Sequence, residues 1–181
     1  MIAALLVTLL TGCIGAMDRP EFDAEVQRRG GGIADEWILD GLTAVADEVD
    51  AGSIDELSVM TMTITPTNRS LVVQARRGDR PDFVDTVTVI QGDLVGVSPV
   101  QDADELPLDE ITIPVTELPI DGWDDLGDRA LAELGFDGGY VNHISLSVVQ
   151  GEHRLDVYVD SPRETGWVTF DREGRMLEAH R

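Results

Sequence analysis

Met60-Thr61-Met62-Thr63-Ile64-Thr65-Pro66-Thr67-Asn68-Arg69-Ser70-Leu71-Val72-Val73-Gln74-Ala75-Arg76 reads as a strand, a turn and a second strand. Met60, Met62 and Ile64 alternate with Thr61 and Thr63, and Leu71, Val73 and Ala75 alternate with Val72, Gln74 and Arg76. A period of two marks strands with one buried face, and Pro66–Ser70 supplies the turn. A shift of 84 positions lays this stretch on Ile144–Asp160 without a gap. Six apolar inward positions then coincide, with Leu71 on Leu155 and Val73 on Val157 as identities. Alternating hairpins match one another easily, so a repeat needs support from what flanks them.

The flanks supply it. Upstream, Ile38, Leu42, Val45 and Val49 share one helix face, and Gly52 sits where a C′ glycine would end that helix. Downstream come a third strand, Val84–Ile90, a turn at Gly92-Asp93 and a fourth strand, Leu94–Val97. The same order returns after Asp121, read as the N-cap of a helix that carries Leu126, Ala130 and Leu134 and closes at Gly135. Strands through Ile144, Leu155, Trp167–Phe170 and Met176–His180 follow, the last pair joined at Glu173-Gly174. The expected fold is α+β: two tandem αββββ units, 33–98 and 121–181, each a four-stranded antiparallel sheet with one helix on one face. Between them, 99–120 holds four prolines and the acids Asp102, Asp104, Glu105, Asp109 and Glu110. The prolines predict an extended linker. Ile111, Ile113 and Val115 within it suit an edge strand, where Pro114 is tolerated.

At the N-terminus an apolar run, Met1–Leu10, ends in Leu10-Thr11-Gly12-Cys13, which holds the sole cysteine. This order resembles the lipobox of prokaryotic lipoprotein signal peptides. The resemblance implies that 1–12 is a signal peptide and that Cys13 carries diacylglycerol and a further fatty-acyl chain. It also implies a mature chain of 169 residues tied to the extracytoplasmic face of a membrane. The run is shorter than the about 20 residues that span a bilayer. No Lys or Arg precedes it, the first charge being Asp18, so the basic n-region is expected upstream of Met1. The competing reading is a buried N-terminal strand with a core cysteine. The polar stretch 13–32, ending in Gly30-Gly31-Gly32, favours the lipobox because it suits a flexible tether.

The helix-plus-meander order resembles two groups: small secreted inhibitors of β-lactamases, and PepSY-type envelope domains. The final hairpin of the latter often reads like Val168-Thr169-Phe170-Asp171-Arg172-Glu173-Gly174-Arg175. These likenesses concern architecture and carry no functional residue onto this chain.

Charge narrows the field. The 35 acids, 22 Asp and 13 Glu, outweigh 13 Arg, and there is no Lys, for a net charge of −22. Such a surface repels phosphate, so nucleic acid is not an expected partner, and it disfavours lying flat on anionic lipid. This composition suits a GC-rich genome such as an actinobacterium's, and a salt-adapted haloarchaeal surface is the alternative. With one cysteine, no disulfide can staple the fold.

No catalytic constellation emerges. His143 and His153 lie about 30 Å apart on an extended chain, and His180 falls three strands from His143, about 14 Å away. Three solvated histidines are the expected outcome. No Gly-x-Ser-x-Gly elbow or phosphate-cradling loop occurs. Asp121, Asp124, Asp125 and Asp128 suit a helix start better than a calcium loop, and Asp102, Asp104 and Glu105 lack EF-hand spacing. Trp37 and Trp123 read as core anchors. No catalytic, metal or cofactor residue is therefore assigned, and Cys13 is the one site residue. The expected function is that of a membrane-anchored, non-enzymatic protein-interaction module of the cell envelope, with an envelope protein as partner. Two alternatives stand behind it: a carrier or sensor of a small apolar ligand such as a lipid, and, third, a hydrolase.

Overall fold

The alternating stretches form strands and the 3.6-period stretches form helices, close to their expected bounds. A computed structural model describes Ile33 and residues 35–181. The signal segment 1–12, the tether 13–32 and Cys13 fall outside the described residues. Helix α1 (Asp35–Glu48) leads into β1 (Ser58–Thr65), β2 (Ser70–Arg76), β3 (Val84–Ile90) and β4 (Asp93–Pro99). After a short helix α2 (Leu108–Ile111) and β5 (Ile113–Pro114) come α3 (Trp123–Leu134), β6 (Tyr140–Val149), β7 (Glu152–Asp160), β8 (Thr165–Asp171) and β9 (Met176–His180).

The expectation of separate four-stranded sheets is corrected. All nine strands belong to one antiparallel sheet in the order β4-β3-β2-β1-β6-β7-β8-β9, with β5 also paired to β1. The seam is β1 against β6, where Met62 faces Leu146, Thr63 faces Ser145 and Ile64 faces Ile144. An unpaired apolar edge is a template for stray pairing, and joining β1 to β6 buries both such edges. The fold is therefore α+β with a single open sheet.

Both helices lie on one face of that sheet and share one core. Ile38, Leu42, Val45 and Val49 of the first helical stretch, and Trp123, Leu126, Ala130 and Leu134 of α3, join Leu71, Val73, Val87, Ile144, Leu155, Val157 and Phe170 in a continuous apolar cluster. The end of α1 differs from expectation. Asp50, not Gly52, is the first residue in the left-handed region (φ 55), and the Ala51 N–H reaches back to the Ala46 carbonyl at 2.9 Å. Aspartate tolerates that conformation through its short polar side chain. The cap of α3 also moves: Gly122 is its N-cap and makes no side-chain bond. Burial and the neighbouring Asp124 raise the Asp35 carboxyl at the head of α1, while the Asp124 and Trp123 backbone opposes that shift. The two helix starts thus lie side by side.

Each half of the sheet bends at bulges. Met60 is the extra residue of β1 opposite Ala75 and Gln74, and Asn142 is the extra residue of β6 opposite Val159 and Tyr158. In the outer hairpins Val95 is extra on β4 and Leu177 is extra on β9. The bulge gives Met60 a different destination from Met62. It joins Val84, Ala103 and Leu108 in a second, smaller apolar cluster, with Val100 and Ile111 packed against it. The segment after β4 is consequently not extended throughout. It folds into a 3-10 turn, Ala103–Glu105, and α2, which strap the sheet face opposite the helices. It then passes β1 as β5 and sends Ile113, Val115 and Leu118 into the main core.

Candidate functional site

The face opposite the helices is strapped over the first half, and no described helix packs on it over the second. There four rings stand in direct cross-strand register: His143 of β6 opposite Tyr158 of β7, Tyr158 opposite Trp167 of β8, and Trp167 opposite His180 of β9. Neighbouring strands lie about 4.8 Å apart, close to the thickness of stacked rings. The centroids are 4.2 Å apart for His143–Tyr158, 6.1 Å for Tyr158–Trp167 and 4.5 Å for Trp167–His180, with interplanar angles of 13°, 27° and 17°. The rings stack on one another, so their edges are left for a partner. Trp167 is 36% exposed, an unusual placement for the largest apolar side chain unless it contributes to contact.

Local geometry positions this ladder. The Asn142 bulge turns both Asn142 and His143 to the same face, a common use of bulges. The Asn142 amide then donates to Asp160, and its oxygen lies 3.4 Å from His143 Nδ1. Gly166 lets β9 approach β8 beside the rings, since a Cβ there would press into the His180 carbonyl and the Phe136 ring.

Carboxylates border the ladder. Asp156 and Asp160 occupy the positions before and after Tyr158 on the same face of β7. Thr169, 2% exposed, donates its hydroxyl to Asp156 Oδ1 at 2.6 Å. Glu178 lies 3.3 Å from His180 and 3.9 Å from Arg154. Burial holds the His143 imidazole below the ordinary histidine range, against the pull of Asp160. Burial also raises the Tyr158 hydroxyl, and Asp156 adds to the effect.

The histidines are therefore not simply solvated. His143 and His180 close the two ends of the ladder, three strands apart as their positions implied, while His153 Nε2 sits 3.2 Å from the carbonyl of Ile111, the last residue of α2. Trp123 is fully buried and Trp37 is packed against the core. Among the described residues no group of three or more His, Cys, Asp or Glu is placed to hold a metal ion, so the acids at 121–128 and 102–105 stay separate. The surface of the described residues includes two clefts lined by charged side chains. One of about 410 Å³ is lined by His153, Arg154, Asp171, Arg172, Glu173 and Arg175 among others. One of about 250 Å³ lies between Arg76, Asp82 and the strap. Both are lined largely by charged groups, the wrong chemistry for an apolar ligand. No helix of the described residues is long and apolar enough to cross a membrane.

The ladder was not foreseen. Its signal lay in the outward positions Tyr158, Trp167 and His180, but each is an isolated aromatic until strand register is known.

The chain matches no protein-family profile and no curated protein. A solved structure described as a "putative lipoprotein" from Clostridium difficile 630 is similar in fold, with a TM-score of 0.56. The two are 11% identical, over 77% of this chain and 89% of that one. At such identity the likeness is one of fold.

Proposed function

We propose that this chain is a membrane-anchored surface lipoprotein of the cell envelope, acting without catalysis as a protein-interaction module through its ladder face. Support for the anchor comes from the lipobox-like Leu10–Cys13 and from the description of the fold neighbour as a putative lipoprotein. On this reading 1–12 is the signal peptide, Cys13 carries the lipid and 13–32 is the tether. One acyl chain binds membranes only marginally, while two or three hold, at about 0.8 kcal/mol per buried CH₂.

The observation that carries the contact role is the stack His143–Tyr158–Trp167–His180 on an uncovered sheet face. Tyr and Trp dominate protein-binding hot spots because they bury large rigid area at small entropic cost. The body is read as two tandem αββββ units, 33–98 and 121–181, fused into one sheet about the β1–β6 seam. Supporting this are the corresponding bulges, Met60 with Asn142 and Val95 with Leu177.

The test is site-specific photo-crosslinking in cells. Probes at Thr165 and Trp167 should give a discrete adduct that Cys13→Ala, by releasing the protein from the membrane fraction, removes. Probes at Asp40 and Asp128, on the helices, should give none. Adducts formed equally from the helix side would refute the assignment of the face.

A further inference from the structure

Resting on the reading of the ladder as a contact surface, we propose that its occupant is an extended polypeptide segment with arginine or lysine on either side of an apolar residue. The warrant is charge complementarity at defined spacing. Asp156, Tyr158 and Asp160 are alternate residues of β7, so they point the same way at intervals of about 6.8 Å. Each carboxylate is held in place by a neutral donor: Asp156 by the Thr169 hydroxyl at 2.6 Å, Asp160 by the Asn142 amide. Neither takes part in an ion pair among the described residues.

What distinguishes them is the neutral side-chain donor, since elsewhere in the molecule arginine plays that part. Asp50, Asp79 and Asp85 all share Arg77, Asp109 takes Arg76, and Asp171 takes Arg175. Asp156 and Asp160 are fixed, charged and unneutralised, and they flank the aromatic centre of the face. Other charges nearby include Glu178, shared between His180 and Arg154, Arg154 itself, which also lies 3.5 Å from Glu152, and Asp171, in register with Arg154 and paired with Arg175. The balance at the ladder is negative. A segment lying along β7 repeats its side chains at the same interval, so residues one, three and five meet Asp156, Tyr158 and Asp160 together. Basic groups at one and five find prepaid, pre-oriented carboxylates, and an apolar group at three covers the rings. The net charge of −22 adds long-range steering toward such a partner and away from acidic ones.

The experiment uses the full chain in nonionic detergent and a fluorescently labelled peptide with arginine at positions one and five and leucine at three, read by anisotropy. A peptide with glutamate at both basic positions is the counter-probe. The arginine peptide should bind at low salt and weaken as salt rises toward about 0.15 M, where screening sets in within about 8 Å. Asp156→Asn with Asp160→Asn should lower affinity about tenfold or more, as should Trp167→Ala. Trp167→Phe, which keeps a ring in the stack, should stay within about threefold of wild type and guards against misfolding as the cause. Neutralising Asp102 and Asp104, on the strap and away from the ladder, should change affinity less than about twofold. Equal loss from the Asp102/Asp104 pair would reduce the effect to bulk charge and overturn the proposal, as would equal binding of the glutamate peptide or no binding at all. Crosslinks from Thr165 and Trp167 to a partner whose capture ignores the Asp156/Asp160 substitutions would keep the contact face and refute the basic segment alone. Absence of any crosslink from Thr165 and Trp167 in the wild type would refute the contact face itself.

Discussion

Arg77 holds three carboxylates at once: Asp50 after α1, Asp79 in the β2–β3 turn and Asp85 on β3, each at 2.8 Å. Asp85 is buried, so removing its donor leaves a desolvated charge. Arg77→Ala should cost about 1–3 kcal/mol for that group, read as a lower urea midpoint at unchanged slope. His143 makes a prediction of opposite character. Its folded pKa is depressed by burial below the ordinary 6.5, so the unfolded chain binds the proton more readily. Stability from this group is present above about pH 6.5 and is lost as pH falls through the lower folded value. Urea unfolding between pH 7.5 and 5 should show that loss in the wild type and a smaller one in His143→Gln. Asp35 acts in reverse. Its raised pKa, set by burial and then by Asp124, makes its folded form more favourable as pH drops, so the two trends must be separated by the variant rather than by the profile alone.

Among the elements, the β8–β9 pair depends on the missing side chain at Gly166. A Cβ there would displace the His180 carbonyl, so Gly166→Ala should cost about 1–3 kcal/mol by overpacking and draw His180 off Trp167. Altered Trp167 fluorescence, scored in a background where half-buried Trp37 and buried Trp123 are unchanged, checks the displacement. Ile144 is 1% exposed on β6, and Ile144→Ala should cost about 2–5 kcal/mol, measured the same way as Arg77→Ala. The strands themselves were legible because alternation is a local property: Val84–Ile90 and Met176–His180 stand where their patterns place them. Register was not. The alignment by 84 positions pairs Ile64 with Val148, whereas Ile64 and Leu146 take the equivalent places opposite Leu71 and Leu155. A shift of two residues preserves which face is apolar, so hydrophobic pattern alone cannot detect it. The bulge at Met60 was hidden for a related reason, since methionine is apolar whether it enters the main core or the smaller cluster under the strap.

For the molecule as a whole, the pairing of β1 with β6 was beyond the reach of local pattern, because each strand looks complete within its own meander. The ladder was hidden with it, since four aromatics become one surface only when β6 through β9 are laid side by side. The strap was misread because prolines forbid regular structure at single positions, not over a whole segment; Leu108 and Ile113 still carry enough apolar area to dock. Cys13 lies outside the described residues, so the expectation attached to it stands as proposed.

The seam also has a bearing on how fast the molecule comes apart. Within each meander, strands pair with close neighbours in the chain, while Met62 meets Leu146 across a long separation. Contacts of high sequence separation must first overcome loop-closure entropy, so local hairpins precede them along the folding route. The halves should therefore form early and zip together last. Conservative trimming at the seam, Ile64→Val with Ile144→Val, is expected to leave the refolding arm of a chevron plot nearly untouched and to raise the unfolding arm, since interactions absent from the transition state act on that rate. Slower refolding with unchanged unfolding would place the seam in the nucleus instead. The lifetime of the native state is then governed by three residue pairs at its centre, whatever the strength of the hairpins on either side.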